Sequence, residues 1–287
     1  MNEAQTQEKE LTLEELHIHS LRIMKEIDAF CMRNGIRYSL AFGSLLGAIR
    51  HRGFIPWDDD MDIAMPRPDY EKFVRSFKSD SLVCVAPETG SSHLTFARVA
   101  DAEKTWCKPF LPWSSKRNDL GVWIDVFPMD GEPDDPEAFS RYIEKLNHLN
   151  DENRIARERL LKLHPSYHFS ILKNLRIIVK RIIYAFGTPG FYWRKMIRLI
   201  RTNPYGNTAY AGLMVLPVYG TKNRTRTDVF ESYIRAPFED CEFSIFTNYD
   251  EFLRDIYGDY MQLPPEDERI PRHRLHRFYE RNTASRL

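Results

Sequence analysis

Asp58-Asp59-Asp60-Met61-Asp62 places four carboxylates within five consecutive residues. Carboxylates this close repel one another, and Asp is poorly suited to a strand, so the segment needs a compensating positive charge. Side chains alternate along an extended chain. That aims Asp60 and Asp62 to one side, roughly 6–7 Å apart at the backbone, with Met61 and Ile63 toward the interior. Two carboxylates so placed can converge on one cation. Hard oxygen ligands that leave room for water and a phosphate suit Mg2+ or Mn2+. Asp58 shares the parity of the pair but stands at the strand entry. A Ca2+ loop of the EF-hand kind fails, because the glycine and distal glutamate it needs are not at the required offsets. A solvated acidic turn is the plainer alternative.

Two neighbouring features favour chemistry over that alternative. Gly43-Ser44 lies 16 residues before Asp60, at an expected strand-to-helix junction. There, backbone N–H groups and a hydroxyl can cradle a phosphate at a helix N-terminus. Arg50, His51 and Arg52 follow at the other end of that short helix. They either grip the same diphosphate or are cations favoured by the helix dipole. The second feature is Asp125, the only charge in Val122–Phe127. A charge inside an apolar strand is costly unless paired or metal-bound. Asp125 therefore reads as a third ligand, or as the base that accepts a hydroxyl proton. A salt bridge to a core arginine ranks below that reading. Arg98 and Arg269 read first as surface salt-bridge residues and second as anion contacts, and Trp57 as core packing. Tyr257 and Tyr260 are candidates to hold a quaternary ammonium by cation–π attraction.

The elements that must position these groups follow from spacing. Thr12 and Glu15 form a capping box for a helix running to Asn34-Gly35. Arg37–Phe42 reads as a strand, Leu45–His51 as a helix, Asp59–Met65 as a second strand ended by Pro66, and Pro68–Phe77 as a helix. Leu82–Pro87, Thr95–Val99 and Trp123–Phe127 read as strands, the last ended by Pro128. Asp135 to about Lys162 is helical, as are Ile171–Phe186 and Phe191–Arg201. Thr208–Phe246 mixes short strands and turns before a helix over Tyr249–Tyr257. The expected class is α+β: a mixed-sheet core with flanking helices and a basic helical insertion. The expected organisation is a catalytic core over 1–150, a basic helical region over 151–207 and an α+β portion over 208–287 that packs back on the core.

With 287 residues, 43% of them hydrophobic, the chain has ample core material and is not generally disordered. Its apolar runs are far short of the ~20 residues that span a bilayer, and its polar, acidic start is no secretory signal. Cys31, Cys84, Cys107 and Cys241 lack metal-type spacing and read as free thiols of a reducing cytoplasm. The zero net charge conceals an asymmetry. Residues 1–150 hold 18 basic and 25 acidic side chains, whereas 151–287 hold 23 and 16. Between Asn153 and Thr227 there are 15 Lys/Arg and a single acid, Glu158. Within Ile171–Phe186, Lys173, Arg176, Lys180 and Arg181 fall on one helical side, and Leu172, Leu175, Ile178, Val179, Ile182 and Phe186 on the other. Phe191–Arg201 adds Trp193, Arg194, Lys195, Arg198 and Arg201. Residues 171–201 therefore suit an anionic membrane surface, against the alternative of a stripe packed on the core. No recognition-fold signature accompanies the charge, so nucleic acid is not an expected partner.

Three segments in order, Phe42–Pro66 (FGSLLGAIRHRGFIPWDDDMDIAMP), Ile124–Asp130 (IDVFPMD) and Tyr257–Pro265 (YGDYMQLPP), resemble the signature of the LicD family. The resemblance implies a nucleotidyltransferase-like core. It also implies metal-dependent transfer of an alcohol phosphate, phosphocholine above all, from a CDP-alcohol such as CDP-choline to a sugar hydroxyl, with release of CMP. The acceptor would be a lipid-linked or polymeric surface glycan: teichoic acid, lipopolysaccharide or capsule. Asp60, Asp62 and Asp125 would hold Mg2+ or Mn2+. Gly43 and Ser44, with Arg50, His51 and Arg52, would take the donor phosphates. The expected location is the cytoplasm, peripheral at the inner face of the membrane. A GT-A-like glycosyltransferase also uses Asp-x-Asp. Its pair usually follows a larger nucleotide subdomain, whereas 59 residues precede Asp60 here. A non-catalytic metal-binding scaffold is the second alternative.

Overall fold

The computed structural model describes residues 9–92, 94–109, 120–157, 175–176, 178–179, 182, 191–217, 224–271 and 276–281. It is α+β, as the alternation of patterns predicts. Helix α1 (Leu13–Asn34) starts at the Thr12/Glu15 capping box, both reciprocal bonds present, and ends at Gly35 with φ 57°. A left-handed residue there is tolerated best by glycine. Strand β1 is only Ser39–Leu40, shorter than the expected strand, because helix α2 (Phe42–Arg50) begins three residues early. Strand β2 (Asp62–Pro66) and helix α3 (Arg67–Ser76) follow. Next come β3 (Leu82–Val85), β4 (Ala97–Asp101), β5 (Thr105–Pro109) and β6 (Trp123–Gly131).

The main sheet runs β1-β2-β6-β4-β3, with β2 and β6 parallel and the remaining pairs antiparallel. Strand β6 does not stop at Pro128. Its ladder with β4 covers Trp123–Val126, and its ladder with β7 (Tyr210–Gly212) begins at Asp130. Pro128 falls in the gap between them, where that edge of the strand asks for no N–H donor.

Helix α4 spans Pro136–Arg157 and packs on α5 (Phe191–Ile200), which buries Met196, Ile197 and Ile200. The expected helix over 171–186 lies mostly outside the described residues. Those described within it, Leu175, Arg176, Ile178, Val179 and Ile182, are helical. Strand β8 (Thr225–Arg226), a short 3-10 turn, the hairpin β9 (Tyr233–Phe238)/β10 (Cys241–Phe246) and helix α6 (Tyr249–Tyr257) complete the C-terminal part. Strand β11 (His276–Glu280) pairs with β5, a pairing that local pattern does not announce. One continuous apolar core joins α1, the sheet, α5, the β9/β10 hairpin and α6. All four cysteines are free thiols.

Candidate active site

Strand β2 begins at Asp62, not at Asp59, so Asp58, Asp59 and Asp60 lie in the approach loop rather than in the sheet. Consecutive repelling carboxylates gain little from a ladder, and the loop lets all three converge. One carboxylate oxygen from each of Asp58, Asp59 and Asp60 lies within 4.8 Å of the others. Strand parity would have sent Asp59 to the opposite side, so its inclusion was not legible from spacing. Met61 and Ile63 are fully buried, as expected.

The start of β2 is fixed from both sides by the N-terminus of α2. The Asp62 N–H donates to Ser44 Oγ at 2.8 Å, and the Asp62 carbonyl accepts from the Ala41 N–H at 2.9 Å. Gly43 and Ser44 sit inside the first turn of α2 rather than ahead of it. Ser44 is buried, and its oxygen is engaged with the start of β2, so its first role is to position Asp62. A Cβ at Gly43 would fall 2.2 Å from Asp58 Oδ2, so glycine is what admits the Asp58 carboxylate over the helix start. His17 of α1, a residue the spacing did not single out, bonds through Nε2 to the Asp58 carbonyl at 2.6 Å. Its ring stacks on Phe54 at 4.0 Å. Burial lowers its pKa, which favours the neutral ring as that donor.

Across the sheet, Asp62 of β2 stands opposite Asp125 of β6, which in turn stands opposite Arg98 of β4. The Arg98 guanidinium grips Asp125 in a fork, Nε to Oδ1 at 2.5 Å and Nη2 to Oδ2 at 3.2 Å. The arginine salt bridge that ranked second for Asp125 is therefore present. It coexists with the placement beside Asp62, since one carboxylate faces both neighbours. A charge inside β6 needs a compensating partner, and Arg98 supplies one at the directly opposite position. Burial, then the charges of Asp60, Asp125 and Asp58, push the Asp62 carboxyl well above the usual range, with Arg98 pulling the other way. Carboxylate oxygens crowded from two adjacent strands are the donor set a hard divalent cation takes.

Two cavities flank the cluster and share Phe42, Asp60 and Asp62. The smaller, about 310 Å3, is walled by Asp59, Asp125, Arg98, Trp123, Phe96 and Phe278 among others. The larger, about 510 Å3, is bounded by Gly43, Arg50, Trp57, Asp58, Tyr257 and Tyr260 among others. Arg50 joins two of the sequence segments, donating from Nη1 to the Tyr260 carbonyl at 2.8 Å. Its Nε donates to the His51 ring at 3.0 Å, and that ring meets Trp57 edge-on. His51 is thus beside the larger cavity without lining it. Arg52 is exposed, with φ 58°, and lines neither cavity; its carbonyl accepts from the Glu239 N–H. Of the three cations, only Arg50 is brought to the site. Tyr260 is largely buried and donates to Asp250, whereas Tyr257 is exposed at the rim. Arg269 lies 5.7 Å over Trp57 and also donates to the Pro264 carbonyl.

Residues 35–152 match the family described as LicD/FKTN/FKRP, nucleotidyltransferase domain. The chain is 31% identical over 267 residues to the lipopolysaccharide cholinephosphotransferase LicD of Haemophilus influenzae, covering 92% of this chain and 97% of that protein. Shorter matches join it to uncharacterised proteins of Rickettsia typhi (38% over 60 residues, 20% of this chain and 19% of that one) and Rickettsia prowazekii (44% over 48 residues, 17% and 18%). The match to the Haemophilus protein runs well beyond the motif segment. The chain therefore belongs to the LicD family and is an enzyme of the transferase class.

Proposed function

We propose that this chain transfers phosphocholine, or a similar alcohol phosphate, from a CDP-alcohol to a sugar hydroxyl of a surface-glycan precursor, releasing CMP. The observation that carries the reading is Asp62 and Asp125 side by side on adjacent strands, with Asp60 lining the same cavity. This arrangement sits in a chain alike over almost its whole length to a lipopolysaccharide cholinephosphotransferase. Asp60, Asp62 and Asp125 would hold Mg2+ or Mn2+, which when bound neutralises charge on the donor diphosphate. The chain's own residues do the rest. Ser44 and His17 fix the loop and strand that carry the carboxylates, and Gly43 opens the first turn of α2. The acceptor oxygen bonds to the phosphorus bearing the alcohol, the bond from that phosphorus to the CMP oxygen breaks, and the hydroxyl proton passes to a carboxylate of the cluster. The test is a panel of CDP-alcohols and sugar nucleotides with and without Mg2+, read as free nucleotide. CMP from a CDP-alcohol, only with metal, is expected. Release of a nucleoside diphosphate from a sugar nucleotide would instead mark a glycosyltransferase, and no turnover of any donor a scaffold.

We place the work at the inner, anionic face of a membrane. Leu175, Val179 and Ile182 are 55%, 46% and 39% exposed and Phe191 is 47% exposed, so these four side chains are not packed on the core. Arg176, Arg194, Lys195 and Arg198 are exposed beside it in the sequence. No helix among the described residues is long and apolar enough to cross a membrane. Sedimentation with vesicles containing anionic lipid, lost when Leu175, Val179 and Ile182 are changed to Ser, is expected. Protein left entirely in the supernatant removes the assignment.

A further inference from the structure

The smaller cavity presents a charge problem that the three assigned carboxylates do not solve. Asp59, Asp60, Asp62 and Asp125 all line it, and Arg98 is its sole cationic side chain among the described residues. A diphosphate ester entering there adds further negative charge. A divalent ion held by Asp60, Asp62 and Asp125 would compensate part of this. Strand β4 offers the incoming anion one lining cation, Arg98.

The surroundings of Arg98 suit it to that duty. It sits in the row Asp62–Asp125–Arg98 across three neighbouring strands, at fixed register on both sides. Its guanidinium carbon is 4.3 Å from the Trp123 ring centroid and 5.8 Å from that of Phe96, so its orientation is set by aromatic walls. The side chain retains 21% of its exposure, opening to the cavity rather than being sealed in the core. A guanidinium has five N–H donors, and the fork to Asp125 uses two. Planar, bidentate donors match phosphate oxygens as well as they match carboxylates. A salt bridge whose only purpose was to stabilise β6 would have no need to face the acidic cavity.

We propose that Arg98 is a phosphate-binding residue of this enzyme. It grips the donor diphosphate from the β4 side, and Asp125 is its resting counter-ion, shared between the guanidinium and the metal. The proposal deepens the functional reading above and rests on it for the nature of the donor. It makes Arg98 and the cation partners for the donor, because both neutralise the diphosphate. It makes them competitors in the donor's absence, because both draw on Asp125.

The two relations give opposite signs, which a purely structural salt bridge does not. The full-length protein is titrated with Mn2+ alone, and then with inorganic pyrophosphate at saturating Mn2+. Arg98→Gln should bind Mn2+ alone several-fold more tightly than wild type and pyrophosphate on the order of ten- to a hundred-fold more weakly. Arg98→Lys, which keeps the charge without the fork, should recover part of the pyrophosphate affinity. Weakening of both ligands together in Arg98→Gln, with Arg98→Lys no better, would reduce Arg98 to a structural brace. Unchanged pyrophosphate affinity, or a wild type that takes Mn2+ but no pyrophosphate, would equally overturn the proposal. CDP-choline serves as a third probe. If pyrophosphate depends on Arg98 but CDP-choline does not bind, the donor assignment fails and the role of Arg98 stands.

Discussion

Replacing Asp60 by Asn should make the metal-free protein more stable and the enzyme inactive. Asp60 lies within 4.8 Å of both Asp58 and Asp59, counted between carboxylate oxygens. Two unit charges at that separation repel by about 0.9 kcal/mol in water and about 3.5 kcal/mol at an effective dielectric of 20. All three groups are half-exposed, so the water end of that range applies. Two relieved pairs then amount to at most about 2 kcal/mol, since neighbours in sequence repel in the unfolded chain as well, and to a rise of no more than about 4 °C in melting temperature for a chain of this size. The wild type has the reverse response to metal. A cation at a hundred times its dissociation constant stabilises by about 2.7 kcal/mol, and that gain should vanish in Asp60→Asn. The assay is a pair of melts, in chelator and in Mn2+, beside CMP release from the CDP-alcohol. Transfer should fall on the order of a hundred- to a thousand-fold. The reasoning is refuted if Mn2+ stabilises Asp60→Asn as much as wild type, or if transfer survives.

Further substitutions test how the cluster is held. Gly43→Ala keeps a good helix former in α2 but puts a Cβ 2.2 Å from Asp58 Oδ2, so the carboxylate must move. The helical signal should be unchanged and CMP release should drop on the order of ten- to a hundred-fold. Ser44→Ala leaves the Asp62 N–H without its acceptor, costing about 1–2 kcal/mol in a chemical denaturation curve and weakening Mn2+ binding with it. Glu132, fully buried at the far end of β6, has its pKa lifted to about 9 by burial, with Arg224 partly offsetting. A carboxyl raised in the fold keeps a proton that the unfolded chain has lost, so stability falls as pH rises from about 4.5 to 9. Glu132→Gln should melt higher than wild type across that window, the gap widening toward pH 9; equal melts at pH 9 would show Glu132 ionised in the fold.

The candidate residues were more legible in the sequence than their arrangement. Asp60 and Asp62 stand out because four carboxylates in five residues repel one another, and Asp125 because a charge in an apolar strand is costly; both costs show in local sequence alone. The capping box of α1 and the whole of α6 were readable for the same local reason: caps and periodicity act over a few residues. Strand alternation, in contrast, assigned Asp60 to a sheet position that β2 does not extend to. Where a strand begins depends on its partner. Here the pairing of β2 with β6 starts at Asp62, opposite Asp125. The same limit hid the partner of Arg98, which local sequence marks only as a salt-bridge residue or an anion contact. Nothing within Ala97–Asp101 announces that its arginine will face Asp125, 27 residues on, because that contact is created by register between two strands. His17 was invisible for an equivalent reason, since its bond to Asp58 spans 41 residues.

The carboxylate cluster and part of the cavity walls come from different stretches of the chain. Every carboxylate of the cluster, Arg98, Gly43 and Ser44 fall within residues 35–152, the segment shared across the wider family. The walls do not. The smaller cavity takes Leu16 and Ser20 from α1, Leu216 from beyond β7 and Phe278 from β11. The larger takes Tyr257, Tyr260, Leu263 and Pro264 from the C-terminal part. A metal–phosphate centre needs fixed distances among few atoms, which short loops on a sheet supply. The shape that accepts one alcohol or one sugar needs surface, which distant segments can supply without disturbing the sheet. The likeness to the Haemophilus protein covers 92% of this chain at 31% identity, so it is not confined to the segment that holds the carboxylates. A change of alcohol or of acceptor between two such chains is then to be sought in the distant segments, which can vary in shape, rather than in the carboxylates, which cannot.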